Sequence, residues 1–179
     1  MSNIVILMGS VRKGGNTDLL VQAFAEGAEK NNTVEIVSVA DSKVNPCIGC
    51  NTCFEREGNR CFQEDDMQEI YEKLKAADVL VIASPVYFYG ISAQLKALID
   101  RLHTPMRSKF KINKLALILV GAATLPELFD SIKVQYQLVL NYFKLEDAGM
   151  VLVRGAKDKG DVKNTEGLEE AYQLGLSIV

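Results

Sequence analysis

Short, almost continuously apolar runs alternating with amphipathic stretches predict an α/β protein, a doubly wound parallel sheet with helices on both faces. Five runs rich in β-branched residues read as strands: Ile4–Met8, Val34–Val39, Val79–Ala83, Leu115–Val120 and Met150–Val153. They lack the apolar–polar alternation of a sheet with one wet face, as expected for parallel strands buried on both sides. Helical periodicity runs through Thr17–Lys30, Asp66–Ala76, Ala93–Leu102, Glu127–Phe143 and Thr165–Ser177. Repeated strand–helix units need crossover connections, which are right-handed and place helices on both faces of one sheet.

Taken in order, the first strand ends in Gly9-Ser10-Val11-Arg12-Lys13-Gly14-Gly15-Asn16-Thr17 before the first helix. A glycine-rich turn into a helix N-terminus offers backbone N–H groups to a phosphate. Ser10, Asn16 and Thr17 are the residues expected around that phosphate, with Arg12 close by and Lys13 solvated. The motif is neither G-x-G-x-x-G nor a Walker sequence. Asn16 or Thr17 can also cap the helix, which is compatible with phosphate binding.

The second strand leads into Ala40–Glu64, which lacks periodicity and contains every cysteine of the chain. An insertion that long in a compact domain is usually functional. Asp65 or Asp66 is expected to cap the next helix, with Glu69 completing a capping-box-like pattern.

The third strand ends in Ser84-Pro85-Val86-Tyr87-Phe88-Tyr89-Gly90. Consecutive aromatics in a turning chain cannot all enter one core, so some line a cleft or an interface, and at least one is expected beneath the next helix. A planar flavin ring needs an apolar wall with backbone groups at its polar edge, and this segment can supply both. Pro85 stiffens the turn, and Gly90 is expected to allow a close approach or an unusual backbone angle. In the following helix Leu95, Leu98, Ile99 and Leu102 form the inner stripe, leaving Lys96, Asp100 and Arg101 for the outer face. His103, the sole histidine, is expected to meet the helix dipole or solvent. Gly121–Thr124 follows the fourth strand at the end of the sheet where ligands bind, and Lys157–Asp161 reads as a solvated loop.

The totals fit this picture. The chain has 179 residues, 48% hydrophobic and 24% charged, with a net charge of −3. That composition suits one domain, residues 1–179 with the cysteine-rich insertion at 40–64, and offers nothing to nucleic acid or a membrane surface. The apolar amino-terminal run is too short, and lacks the preceding basic region, for a signal peptide, and no segment is long enough to span a bilayer. A cytoplasmic location is expected, where thiols stay reduced and clustered cysteines point to metal or redox chemistry.

Gly-Ser-x-Arg-x-x-Gly-Asn-Thr (9–17), together with Ser-Pro-Val-Tyr-Phe-x-x-x-Ser-Ala-x-Leu-Lys-x-x-Ile-Asp-Arg (84–101), resembles the NADPH-dependent FMN reductase family of flavodoxin-like proteins over essentially the whole chain. The resemblance implies a three-layer sandwich with five parallel strands in the order 2-1-3-4-5. It implies non-covalent FMN, with its phosphate at Ser10, Arg12, Asn16 and Thr17 and its ring against Pro85, Val86, Tyr87, Phe88 and Gly90. It also implies a homodimer or homotetramer completing the flavin pocket. No side chain is required as acid, base or nucleophile, because the flavin carries the chemistry.

Cys47-Ile-Gly-Cys50-Asn-Thr-Cys53, followed by Cys61, can wrap a compact metal centre. The first three match the bacterial ferredoxin spacing; the last gap is longer, and Phe62 replaces that pattern's proline. Zinc, free thiols and a disulfide are the alternatives. The motif resembles the iron–sulfur flavoproteins, a branch of the same superfamily, which implies a [4Fe–4S] cluster on Cys47, Cys50, Cys53 and Cys61 near the FMN. Two electron routes follow: hydride from NAD(P)H to flavin, quinone or another small-molecule acceptor, or exchange with a ferredoxin-like protein through the cluster. A non-catalytic FMN- or zinc-binding sensor and a vestigial interaction module are the competing readings.

Overall fold

The computed structural model describes residues 1–179. Strands β1 (Asn3–Met8), β2 (Thr33–Ser38), β3 (Val79–Tyr87), β5 (Lys114–Val120) and β6 (Glu146–Val153) form a parallel sheet in the order β2-β1-β3-β5-β6. This is the expected 2-1-3-4-5 order of the five long strands. A short sixth strand, β4 (Gly90–Ile91), pairs antiparallel with the end of β3. Helices α1 (Asn16–Ala28) and α6 (Gly167–Ser177) cover one face. Helices α3 (Met67–Ala76), α4 (Ala93–Asp100) and α5 (Asp130–Phe143) cover the other, while the short α2 (Thr52–Glu55) belongs to the cysteine insertion.

The period of two along each strand divides the core. Ile4, Ile6, Val79, Val81, Ala116 and Ile118 pack under α1 and α6, whereas Val5, Leu7, Leu80, Ile82, Leu115 and Leu117 pack under α3–α5. Burying each such branched side chain stabilises the fold by about 1.5–3 kcal/mol. Helix α1 buries Leu20, Val21, Phe24 and Ala28, the stripe its periodicity requires. Helices α1 and α6 touch backbone to backbone: a Cβ on Gly27 would lie 2.1 Å from the Tyr172 carbonyl oxygen, and one on Gly175 2.0 Å from that of Phe24.

Strand β3 runs past Ala83 through Pro85 to Tyr87, then reverses at Phe88-Tyr89 into β4. Both turn residues have positive φ, 50° and 61°. A two-residue hairpin turn of this hand is normally Asn-Gly or Gly-Gly, because side chains crowd the left-handed region. The unusual backbone therefore falls on the two aromatics and not on Gly90. Tyr87, Phe88 and Tyr89 are all exposed, Phe88 completely, so, contrary to the expectation that at least one would, none packs beneath α4.

Candidate functional site

The chain reverses direction across the sheet between β1 and β3, and their carboxyl ends open a cleft there. Its walls are Ser10 and Arg12 after β1, Gly15, Asn16 and Thr17 at the start of α1, and Pro85, Val86 and Tyr87 at the end of β3. Val120, Gly121 and Ala122 after β5, with Ala156 and Lys157 after β6, complete it. The two loops singled out for phosphate and ring thus meet, except that Phe88 and Gly90 stay outside on the hairpin. Lys157, in a loop expected to be merely solvated, adds a second cation beside Arg12.

Hydrogen bonds within the protein fix this geometry. The Ser10 hydroxyl accepts from the Arg12 N–H at 3.2 Å, and Asp18 accepts from the Gly14 N–H at 2.6 Å. The buried Ser92 hydroxyl donates to the Gly9 carbonyl at 2.7 Å, and the Ser92 N–H donates to Ser84 Oγ at 3.0 Å. This chain of hydroxyls locks the loop after β1 to the end of β3. Gly15, not Asn16 or Thr17, occupies the N-cap of α1, leaving the first-turn N–H groups without a side-chain acceptor.

Asn16 spends its side chain on the loop after β6. Its amide donates to the carbonyls of Ala156 (3.3 Å) and Asp158 (2.8 Å), and its oxygen accepts from the N–H of Gly160 (2.9 Å). It clamps the segment bearing Lys157 against α1. Lys13 pairs with Asp41 at 2.7 Å on the surface, joining the loops after β1 and β2.

The four cysteines gather elsewhere. Left-handed turns at Gly49 (φ 68°) and Asn51 (φ 60°) fold the segment, and Cys47, Cys50, Cys53 and Cys61 line one pocket. A Cβ on Gly49 would meet nothing within 4 Å, so the backbone angle, not space, calls for glycine there. Burial pushes the Cys53 thiol up, and the other three thiols push it the same way. At Cys50 the Thr52 hydroxyl, donating to the sulfur at 3.2 Å, draws the thiol down. No three potential ligands converge as a single metal ion would require. A tetrahedral zinc with bonds of about 2.3 Å needs its sulfurs in near contact. An all-thiol donor set around one pocket has the donor chemistry of an iron–sulfur cluster.

The remaining wall of this pocket comes from Tyr71, Arg101, His103 and Thr104. Arg101, expected on the outer face of α4, is 3% exposed. Its backbone is still helical at the C-cap of α4, three residues after the buried Leu98, which carries the guanidinium inward against Asp65. Arg101 Nη1 donates to Asp65 Oδ2 at 2.8 Å and to the Asn45 carbonyl at 2.9 Å; Nη2 donates to Asp65 Oδ1 at 3.3 Å. Burial alone would raise the Asp65 carboxyl, but the bonds from Arg101 and from the N–H groups of Asn45 and Met67, with the guanidinium charge, hold it below its ordinary value. Tyr71 donates to the Arg101 carbonyl at 2.6 Å, and burial pushes its phenol up to about 12.

Asp65 therefore does more than cap α3, although it does accept from the Met67 N–H at 3.2 Å. Asp66 occupies the N-cap position without a side-chain cap, and its carboxylate accepts instead from the Lys43 N–H at 2.6 Å. The two aspartates together close the base of the insertion. His103 lies in the pocket wall, its ring 6.1 Å from that of Phe54, and faces Arg107 at 3.1 Å. The cleft and the cysteine pocket share no lining residue. The start of α4 faces the β3 end and its C-terminus the cysteines, a separation of roughly one 12 Å helix length.

A profile of the NADPH-dependent FMN reductase family matches residues 2–157. The chain belongs to that family of flavin-dependent oxidoreductases. Within it, the chain is similar to an iron-sulfur flavoprotein of Methanocaldococcus jannaschii, with 38% identity covering 98% of this chain and 94% of the relative. It is also similar to a putative NAD(P)H-dependent FMN-containing oxidoreductase of Bacillus subtilis, 24% identical over 96% and 95% of the two chains. Among solved structures, an NAD(P)H:quinone oxidoreductase from Methanothermobacter marburgensis superposes with a TM-score of 0.78 at 17% identity, covering 99% and 96% of the two chains. An FMN-dependent NADH-azoreductase of Bacillus anthracis in complex with FMN superposes at 0.70 with 16% identity over 98% of each chain. At those identities the superpositions establish the flavodoxin-like fold. No helix is long and apolar enough to cross a membrane.

Proposed function

We propose that the protein is an FMN-dependent oxidoreductase in which a [4Fe–4S] centre on Cys47, Cys50, Cys53 and Cys61 provides a second electron site. The observation carrying the FMN assignment is the meeting of Ser10, Arg12, Thr17, Pro85, Val86 and Tyr87 in one switch-point cleft. Bound FMN would supply hydride acceptance and the release of one or two electrons. Around it, Ser10, Thr17 and the first-turn N–H groups of α1 would bind the phosphate, with Arg12 and Lys157 balancing its charge. Pro85, Val86 and Tyr87 would form the wall of the ring. Phe88 and Gly90 reach that ring only across a subunit boundary.

A homodimer or homotetramer is part of this reading. Phe88 stands fully exposed, and Val134, Leu138 and Tyr142 form an exposed apolar stripe on α5, surfaces that a second copy would cover. The all-thiol pocket favours a second version within the same class, an electron carrier exchanging electrons with a ferredoxin-like protein. Whether the donor is NAD(P)H or such a protein is decided by kinetics. Anaerobically prepared protein should carry FMN with iron and sulfide in equal amounts, about four of each per chain for a four-iron cluster. Rapid NAD(P)H oxidation coupled to reduction of a quinone or flavin supports the reductase version. Negligible oxidation with fast reduction by ferredoxin supports the carrier, and a colourless protein that takes up no FMN overturns both.

A further inference from the structure

Arg101 holds the one buried side-chain nitrogen or oxygen in the molecule without a hydrogen-bond partner, its Nε. Both terminal nitrogens are committed to Asp65, and Nη1 also to the Asn45 carbonyl. The Nε–H remains on a residue that lines the cysteine pocket. A buried guanidinium N–H left unmade carries its full desolvation penalty, so such a group usually marks a partner still to come.

Apart from the solvent-exposed Asn51, the other polar side chains in or beside the pocket wall are engaged. Tyr71 donates to the Arg101 carbonyl, Thr52 to Cys50 Sγ, and Gln63 to the Pro46 carbonyl. The Thr104 hydroxyl accepts from the Met106 N–H, and His103 faces Arg107. A centre held by four thiolates is rich in sulfur acceptors and in negative charge. Such sulfurs accept hydrogen bonds, and those bonds, with local net charge, set the potential of the centre.

We propose that Arg101 donates its Nε–H to a sulfur of the four-cysteine centre and thereby raises the reduction potential of that centre. The proposal rests on the reading that the cysteines hold an iron–sulfur cluster. One electron entering the centre adds one negative charge to it, with no proton or bond change required of Arg101. A fixed donor and cation interact more strongly with the more negative form, so reduction becomes easier. Asp65 offsets part of the charge but also fixes the guanidinium plane, which keeps the N–H dipole directed. Arg101 thus joins two tasks, anchoring the insertion through Asp65 and tuning what the insertion carries.

The test uses full-length protein reconstituted anaerobically with iron and sulfide, as wild type, Arg101→Lys, Arg101→Gln and the double variant Asp65→Asn/Arg101→Gln. Lysine keeps a cation opposite Asp65 but has no Nε–H. Arg101→Lys is expected to bind FMN as wild type does, to reduce its centre at a lower midpoint potential, and to lose iron several-fold faster in air. The double variant removes the anchor's two charges together, so it stays informative where Arg101→Gln fails to fold around an unpaired Asp65. It is expected to show the same downward shift. Wild-type midpoint and iron retention in both Arg101→Lys and the double variant would overturn the proposal. Wild-type protein that takes up no iron and sulfide would instead bring down the cluster reading, and this inference with it.

Discussion

The switch-point cleft is assembled from strand ends, whereas the cysteine pocket is assembled from an insertion. Four of the long strands, β1, β3, β5 and β6, deliver their last or following residues to the cleft, so the sheet ladder fixes its backbone before any side chain is considered. Around the cysteines there is one short helix, a 3-10 turn and left-handed backbone at Gly49, Asn51, Gly58 and Asn59. No sheet holds that segment. Its polar anchor to the core is the Asp65–Arg101 pair, whose side chains are 1% and 2% exposed, with the Asn45 carbonyl on Arg101 and the backbone bonds that Asp65 and Asp66 accept, while Val44 packs against the core. On the proposed reading the difference is a division of labour: a rigid socket for a cofactor that must be held in register, and an adaptable wrapping for a centre that would supply its own rigidity once bound.

Breaking the anchor should separate the two regions most sharply. Asp65→Ala leaves the Arg101 guanidinium buried and uncompensated, a cost of about 3–5 kcal/mol. Iron retention should collapse and the denaturation midpoint fall, while FMN affinity of the folded protein stays near wild type. Loss of FMN binding in parallel with iron, at denaturant concentrations where the chain is still folded, would show the regions to be coupled. Acid acts on the same anchor. Because the folded Asp65 pKa lies below its unfolded value of 3.8, its stabilisation is fully present above that value and is lost as pH falls through the lower folded pKa. Asp65→Asn should remove this acid limb from a stability–pH profile.

In the cleft the sharpest changes are Ser10→Ala and Thr17→Val, which delete hydroxyls facing the proposed phosphate without touching the sheet. A hydrogen bond to a charged group contributes about 1.5–3 kcal/mol. Each variant should therefore weaken FMN binding by roughly 10- to 100-fold, read from flavin fluorescence quenching, with cysteine reactivity unchanged. Unaltered affinity in both would displace the phosphate from this loop. Asn16→Ala acts one step further out, by releasing the loop after β6. A loss of about 1–2 kcal/mol is expected after compensation by water. FMN affinity should weaken less than for Ser10→Ala, because Lys157 contributes charge and not directed bonds.

How far these regions can be read from sequence follows the same contrast. The five strands are legible because apolar runs and periodicity are local signals; their order comes from the resemblance to flavodoxin-like proteins, and that topology brings the two loops together in one cleft. Asn16 illustrates the boundary. Its position at a helix start is readable, but its commitment to the loop 144 residues away at Gly160 is not. Arg101 goes further. Counting it with Lys96 and Asp100 misses that it follows Leu98 by three residues, and because its backbone stays helical past Asp100 the side chain falls on the inner side. Nothing within a few residues of Arg101 or Asp65 marks them as partners. Clustered cysteines announce a centre, but not the wall of Tyr71, Arg101, His103 and Thr104 around it.

The hairpin at Phe88-Tyr89 offers the smallest change and a distinct one, because it sets local strain against association. Replacing the pair by Asn-Gly puts residues suited to positive φ where two aromatics now sit. Relief of left-handed strain, less the added flexibility of glycine, should stabilise the isolated subunit by about 1 kcal/mol. The bond from the Ser131 side-chain hydroxyl to the main-chain carbonyl of residue 89 can persist, so the hairpin should keep its place. If Phe88 and Tyr89 serve a subunit boundary at the flavin, association measured by sedimentation should weaken and flavin exposure to solvent should rise, even as the subunit gains stability. A more stable variant with unchanged association and unchanged flavin exposure would show that the strained aromatics serve neither. The strain is tolerated beside a cleft whose other walls carry none, which is where a fold can keep an unfavourable turn for the sake of a contact.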